Sequence, residues 1–112
     1  HLATIIKLNT PPNEKIGNFK LSWNNPRSAM LFYADRDIEY PVIKGEELLQ
    51  RLHENPNKLW LANSNEFKSL NSKLPGKFYL IMSNSKYAFF TSSQNRALVK
   101  YDFSAMKIPN VK

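Results

Sequence analysis

The tripeptide Asp35-Arg36-Asp37 is the strongest candidate for chemistry in this chain, because it places two carboxylates on either side of a guanidinium. On an extended strand, residues 35 and 37 point to the same side, which is a suitable spacing for a carboxylate pair that acts as acid and base. A polar turn between two strands, or an ion pair around Arg36, requires the same residue types. We therefore expect a turn or an ion pair here, with ligand contact and catalysis as the alternatives.

Other groups that commonly carry out catalysis are scarce. The chain has no cysteine and two histidines, His1 and His53, which excludes thiol nucleophiles, disulfides and cysteine-based zinc sites. His53 lies near the end of a predicted helix, where a histidine usually interacts with the helix dipole. The three glycines, Gly17, Gly45 and Gly76, are isolated, so the chain has neither a P-loop nor a dinucleotide-binding fingerprint. No cofactor and no metal site are predicted.

The chain is basic, with a formal net charge of +7. Its lysines occur singly along the sequence and form no basic run. A solvated surface is the simplest interpretation of scattered lysines, and an anionic partner such as nucleic acid or a lipid surface is the alternative.

Aromatic side chains are concentrated in one predicted β-hairpin. Together with Lys77 and Lys86 they could form an RNA-stacking sheet, although they do not match the consensus of the RNA-recognition motif. The aromatic residues concerned are Phe78, Tyr79, Tyr87, Phe89 and Phe90. Aromatic residues in a hairpin are more often part of the core, so binding of single-stranded nucleic acid is kept as an alternative function.

The elements that must position these groups follow from apolar periodicity and from turn residues. Strands are predicted over residues 18–23, with Phe19, Leu21 and Trp23 on one face, and over residues 29–34, 58–62 and 97–103. Residues 2–8 are predicted to be a strand or the tail of an apolar segment upstream. Residues 38–43 are predicted to be an edge strand or an extended segment because of Pro41. Helices are predicted over Gly45–Asn55 and, with Ser64 as N-cap, over Asn65–Leu70. Residues Lys77–Ser83 and Lys86–Thr91 form the hairpin around Asn84-Ser85.

This order predicts an α/β fold. We expect a two-layer or three-layer sandwich with a mixed sheet, about two helices and a C-terminal β-hairpin, since strand–helix–strand units usually make their strands parallel. Residues 1–112 should form a single domain with a loose tail at 105–112. Because the chain begins with His1 rather than methionine, we expect it to be part of a longer protein, or a mature chain.

One segment resembles a known family. It contains the strand "LFYADRD", the connection "IEYPVIKG", the helix "EELLQRLHENP", the strand "KLWLANSNEF" and the hairpin "GKFYLIMSNSKYAFF", all between Ser28 and Phe90. This order is similar to the soluble C-terminal domain of lipid-dependent membrane glycosyltransferases of the aminoarabinose transferase and protein mannosyltransferase-like type. The resemblance covers roughly 60 residues and rests on structural rather than catalytic motifs.

The resemblance implies a non-catalytic, extracytoplasmic (periplasmic) domain of a membrane glycosyltransferase that takes its sugar from a polyprenyl-phosphate donor. It implies that the catalytic carboxylates lie outside this region, so no catalytic residue is assigned here. The implied partners are the transmembrane part of the same chain and anionic lipid or lipid-linked sugar. From charge and position, the residues expected to contact lipid phosphate are Arg36, Lys58, Lys77 and Lys86.

Overall fold

The fold is an α/β sandwich built on a mixed five-stranded sheet. The computed structural model describes residues 2–21 and 36–96. In chain order, its elements are α1 (Leu2–Asn9), β1 (Ile16–Phe19), β2 (Ile38–Val42), α2 (Gly45–Glu54), β3 (Leu59–Asn63), α3 (Ser64–Lys73), β4 (Phe78–Ser83) and β5 (Tyr87–Ser92). The predicted α/β class, mixed sheet and hairpin are confirmed, and the described part of the chain holds three helices rather than about two.

The strands lie in the order β2-β1-β3-β5-β4. β1 pairs in parallel with both β2 and β3, whereas β5 is antiparallel to both β3 and β4. β1, β2, β3 and β4 therefore all begin at the same edge of the sheet, and β5 ends there. This arrangement determines which loop residues meet, because residues that precede four different strands share one edge.

Helices cover both faces of the sheet, which gives three layers. On one face, Leu2 and Ile6 of α1 form a buried cluster with strand residues that include Ile16 and Leu61. On the other face, α2 and α3 contribute buried side chains that include Leu48 and Phe67 to a second cluster. Each helix buries residues three or four positions apart, as an amphipathic helix does.

The centre of the sheet is tightly packed around Trp60, whose side chain is fully buried. Gly17 pairs with Trp60 across the parallel β1–β3 ladder. A Cβ atom on Gly17 would lie 2.5 Å from Cε3 and 2.7 Å from Cε2 of the indole ring, so the glycine is required for space. The indole Nε1 is buried without a hydrogen-bond partner.

Several elements agree with the sequence prediction. β2 lies at a sheet edge, as Pro41 indicated. α2, β3 and the β4–β5 hairpin lie within a residue or two of their predicted bounds. Phe67 and Leu70 of α3 are buried as predicted. The strands predicted at Ala29–Ala34 and Ala97–Phe103, and the tail at 105–112, fall outside the described residues.

Three local predictions are wrong. Residues Leu2–Leu8 lie in helix α1 rather than in a strand, because Leu2 and Ile6 are buried one helical turn apart. Phe19 and Leu21 belong to the clusters on opposite faces of the sheet, since Lys20 between them adopts a left-handed φ of 63°. Ser64 is the first residue of α3 rather than its N-cap, and its hydroxyl donates to the carbonyl of Asn84 at 2.7 Å.

Candidate functional site

The candidate site is the edge of the sheet at which β1–β4 begin, and we call it the cationic edge. A basic residue lies one or two positions before each of these four strands, and another follows β5. These residues, which define the cationic edge, are Lys15, Arg36, Lys58, Lys77 and Arg96. They are distant in sequence and meet at one edge because of the strand order.

Hydrogen bonds between the loops hold this edge together. The Lys58 ammonium approaches the carbonyl of Lys15 at 3.5 Å, and the amide of Ser93 donates to the carbonyl of Lys77 at 3.1 Å. The amide of Arg96 donates to the side-chain oxygen of Asn57 at 3.2 Å. The loops that carry the cations are therefore fixed to one another by hydrogen bonds that each involve at least one main-chain group.

Arg36 has a structural role at the cationic edge. Its Nε donates to the carbonyl of Thr10 at 2.9 Å, and its terminal nitrogen donates to the carbonyl of Lys7 at 3.2 Å. The Lys7 carbonyl is one of the last four of α1, which have no partner within the helix. Arg36 thus caps the C-terminus of α1, where the helix dipole also favours a cation.

Lys58 forms a salt bridge with Glu39. Its Nζ lies 3.0 Å from Oε2 of Glu39, and only 15% of its side chain is exposed. The pair joins the beginning of β3 to β2 across β1. To bind an external phosphate, Lys58 would have to leave Glu39. This is unfavourable, because it would leave the partly buried Glu39 carboxylate without its partner.

The remaining cations of this edge project into solvent. Lys15, Lys77 and Arg96 are all exposed. Among the described residues, the loops before β1 and β2 also contain the acids Glu14 and Asp37, and Glu39 of β2 is paired with Lys58.

Lys86 lies at the opposite edge of the sheet. It precedes β5, which runs antiparallel to β3, so it lies beside the N-terminus of α3, where the Lys86 carbonyl accepts from the amide of Ser64 at 2.8 Å. The structure therefore brings Arg36, Lys58 and Lys77 together but not Lys86.

The candidates for catalysis do not assemble a catalytic set in the described residues. Arg36 caps α1, and the backbone carbonyl of the exposed residue Asp37 accepts from the amide of Ile16 at 2.9 Å. Asp35 lies outside the described residues. His53 is exposed on the last turn of α2. Residues 2–21 and 36–96 contain no group of three or more acidic or histidine side chains that could hold a metal ion.

The aromatic residues of the hairpin are mostly core residues. Phe67, Phe78 and Phe90 pack on one another with ring centroids between 4.8 and 6.0 Å apart. Tyr87 and Phe89 are buried in the cluster on the other face. Tyr79 is the exposed aromatic residue of this hairpin. A sheet that binds single-stranded nucleic acid needs several exposed rings, so the hairpin offers little support for that alternative.

A groove of about 290 Å³ lies between α2 and α3, at the carboxyl end of β1. Apolar residues that include Phe19 and Leu49 line it, with Lys20, Glu46 and Glu66 among its polar residues. The Lys20 ammonium pairs with Glu66 at 3.5 Å and lies 5.4 Å from the centroid of the Phe19 ring. The groove therefore contains side chains of both positive and negative charge, and two of them, Lys20 and Glu66, form an ion pair.

Sequence reasoning missed the role of Asn18 beside this groove. Asn18 is fully buried, and its side-chain oxygen accepts from the amide of Leu21 at 2.9 Å, while its Nδ2 donates to the carbonyl of Glu39 at 3.1 Å. These bonds hold the chain around the left-handed Lys20. The signal was present, because asparagine often bonds to the backbone two or three residues ahead in turns.

Comparisons with known protein families, with curated proteins and with solved structures find no match to this chain. Within the described part of the chain, no helix is both long enough and apolar enough to cross a bilayer. The described residues form an α/β domain with a cationic edge.

Proposed function

We propose that this chain is a non-catalytic extracytoplasmic domain of a membrane glycosyltransferase, and that its cationic edge contacts anionic lipid headgroups or the phosphate of a polyprenyl-linked sugar. The observation that carries the proposal is the convergence of five basic residues from separate loops at one edge of the sheet. The resemblance between residues 28 and 90 and the domains of such enzymes supplies the class of parent protein.

The cations of the edge divide into two groups with different roles. Arg36 and Lys58 are held by α1 and by Glu39, so they shape the edge. Lys15, Lys77 and Arg96 are exposed and supply the contacts with phosphate. Each basic residue near an anionic membrane contributes about 1 kcal/mol, so three of them give weak, salt-dependent binding that would act together with a membrane anchor.

A domain that assists the parent enzyme rather than catalysing needs no catalytic set of its own. Such a domain would orient the parent enzyme over the membrane and attract the negatively charged donor. Its contribution would be electrostatic, because clusters of like charge raise the local concentration of an oppositely charged ligand.

The proposal is tested by sedimentation of the domain with vesicles that contain a third of phosphatidylglycerol. Changing Lys15, Lys77 and Arg96 to glutamine together should weaken binding by roughly 150-fold, since about 3 kcal/mol is lost. A triple variant with Lys44, Lys68 and Lys86 changed to glutamine has the same net charge and serves as the matched control. Equal binding by the two variants would refute the role of the cationic edge.

The parent protein is tested separately by reading the gene on the N-terminal side of His1. A region with many hydrophobic spans supports the glycosyltransferase assignment, and a neighbouring domain without such spans contradicts it. A gel-shift titration with single-stranded RNA at low salt tests the nucleic-acid alternative. A shift that is lost on changing Tyr79 to alanine would favour that alternative over lipid binding.

A further inference from the structure

The two edge strands of the sheet differ in how well they resist pairing with another strand. β2 contains Pro41, which has no amide hydrogen to donate, and the charged residue Glu39. Both features protect an edge strand from further pairing. β4 has the sequence "FYLIMS" and contains neither a proline nor a charge. Among the described residues, β4 pairs with β5 alone.

β4 also exposes apolar side chains on both faces of the sheet. Tyr79 and Leu80 are 46% and 42% exposed, respectively, whereas Phe78 before them is buried. Tyr79 pairs with Thr91 and Leu80 with Phe90, so the two side chains lie on opposite faces. An added strand could therefore cover both residues, which a ligand on a single face of the sheet could not do.

A basic residue lies at each end of the uncharged strand β4. Lys77 precedes β4, and Lys86 follows the hairpin turn at the other end. Both lysines are exposed, and Asn84 fixes the turn by accepting from the amides of Lys86 and Tyr87 at 2.8 and 2.7 Å. The edge thus presents a central apolar section of about 20 Å between two positive charges.

We propose that β4 binds an extended segment of another protein by strand addition, and that this segment has an apolar centre and acidic residues at both ends. Main-chain hydrogen bonds would supply the affinity, and Tyr79 and Leu80 would select apolar side chains. Lys77 and Lys86 would select the acidic ends, whichever direction the segment runs.

The same charges disfavour two other occupants. A second copy of the chain in antiparallel pairing would place Lys77 near the partner's lysine-bearing turn at both ends of the contact. The irregular register between Leu80 and Met82 also makes β4 a poor match for an identical strand. Residues 97–112 contain three lysines and one aspartate, so their charge is also of the wrong sign.

The test uses the full chain and labelled peptides of about nine residues, a length that spans β4. The first peptide has valines at its central positions, so that both faces are apolar, and two glutamates at each end. The second has lysines in place of the glutamates, and the third has a central proline that prevents strand pairing. Fluorescence anisotropy should show binding of the first peptide that is roughly tenfold tighter than that of the second, and no binding of the third.

Two variants distinguish strand addition from general attraction to a basic protein. K77E combined with K86E should reverse the preference between the glutamate and lysine peptides, whereas K44E combined with K68E should leave it unchanged. Hydrogen exchange at the β4 amides should slow when the glutamate peptide is added. Equal binding of all three peptides would overturn the proposal. So would protection, in the free chain, of the β4 amides that point away from β5, or a dimer that the glutamate peptide does not dissociate.

Discussion

Replacement of Gly17 by alanine should destabilise the domain strongly, because there is no space for a methyl group. The added Cβ would lie 2.5 Å from Cε3 of Trp60 and 2.7 Å from Cε2, closer than carbon atoms can approach. Neither partner can easily move. Gly17 lies in β1, which is hydrogen-bonded to strands on both sides, and the rigid indole ring is fully buried.

The expected cost follows from the packing around this pair. Overpacking a core by one carbon costs about 1 to 3 kcal/mol, and a rigid ring facing a central strand places this case near 3 kcal/mol. Alanine also lowers the conformational entropy of the unfolded chain, which stabilises the folded state by about 0.5 kcal/mol. A net loss of about 2.5 kcal/mol should lower Tm by roughly 10 to 15 °C in a domain of this size.

Urea denaturation followed by circular dichroism measures this loss, and Gly45→Ala provides the control. A Cβ on Gly45 would meet Leu70 Cδ1 at 3.6 Å, an ordinary contact, and Gly45 is the first residue of α2. Gly45→Ala should therefore leave the free energy of unfolding unchanged or raise it by up to about 1 kcal/mol.

A double-mutant cycle with Trp60→Leu identifies the cause. In the Trp60→Leu background the steric conflict is gone, so Gly17→Ala should cost less than about 1 kcal/mol. An equal cost of Gly17→Ala in both backgrounds would refute the explanation from the indole contact.

Three further substitutions test the turn after β1 and the cap of α1. Asn18→Ala should lower the free energy of unfolding by about 2 to 3 kcal/mol in urea titrations, because the buried amide of Leu21 loses its acceptor; a loss below 0.5 kcal/mol would contradict this role. Lys20→Gly should raise stability by about 0.5 to 1 kcal/mol in calorimetry by relieving the left-handed φ of 63°, whereas Lys20→Ala should not. Arg36→Met should cost about 1 to 2 kcal/mol and speed hydrogen exchange in α1 more than in α2, since the carbonyls of Lys7 and Thr10 lose their donor. Uniform acceleration of exchange in both helices would contradict a local cap.

Much of the fold could be predicted from sequence because its signals are local. The hairpin β4–β5 has turn residues between two apolar runs, and α2 has an apolar stripe with acids in its first turn. The sequence of α1 predicts a strand because its threonine and isoleucines favour β-structure. What stabilises this short helix is burial of Leu2 and Ile6 and the cap from Arg36, which is distant in sequence.

The candidate site depends on topology and could be predicted only in part. Lys58 and Lys77 were chosen by charge, but their proximity to Lys15 and Arg96 follows from the strand order. Lys86 appears equivalent to Lys77 in the sequence, yet the reversal of the chain in the hairpin moves it to the opposite edge. The ion pair between Lys58 and Glu39 also reaches across strand β1, so no local sequence pattern could predict it.

Recognition of anionic lipid phosphate by the cationic edge is tested most directly by comparing vesicle binding of variants at this edge with binding of variants elsewhere. The triple variant at Lys15, Lys77 and Arg96 should lose roughly 150-fold in affinity for vesicles with a third of phosphatidylglycerol. The control variant at three lysines elsewhere should retain most of the affinity, and neither should bind neutral vesicles. Equal loss in both variants, or equal binding to neutral vesicles, would contradict the account.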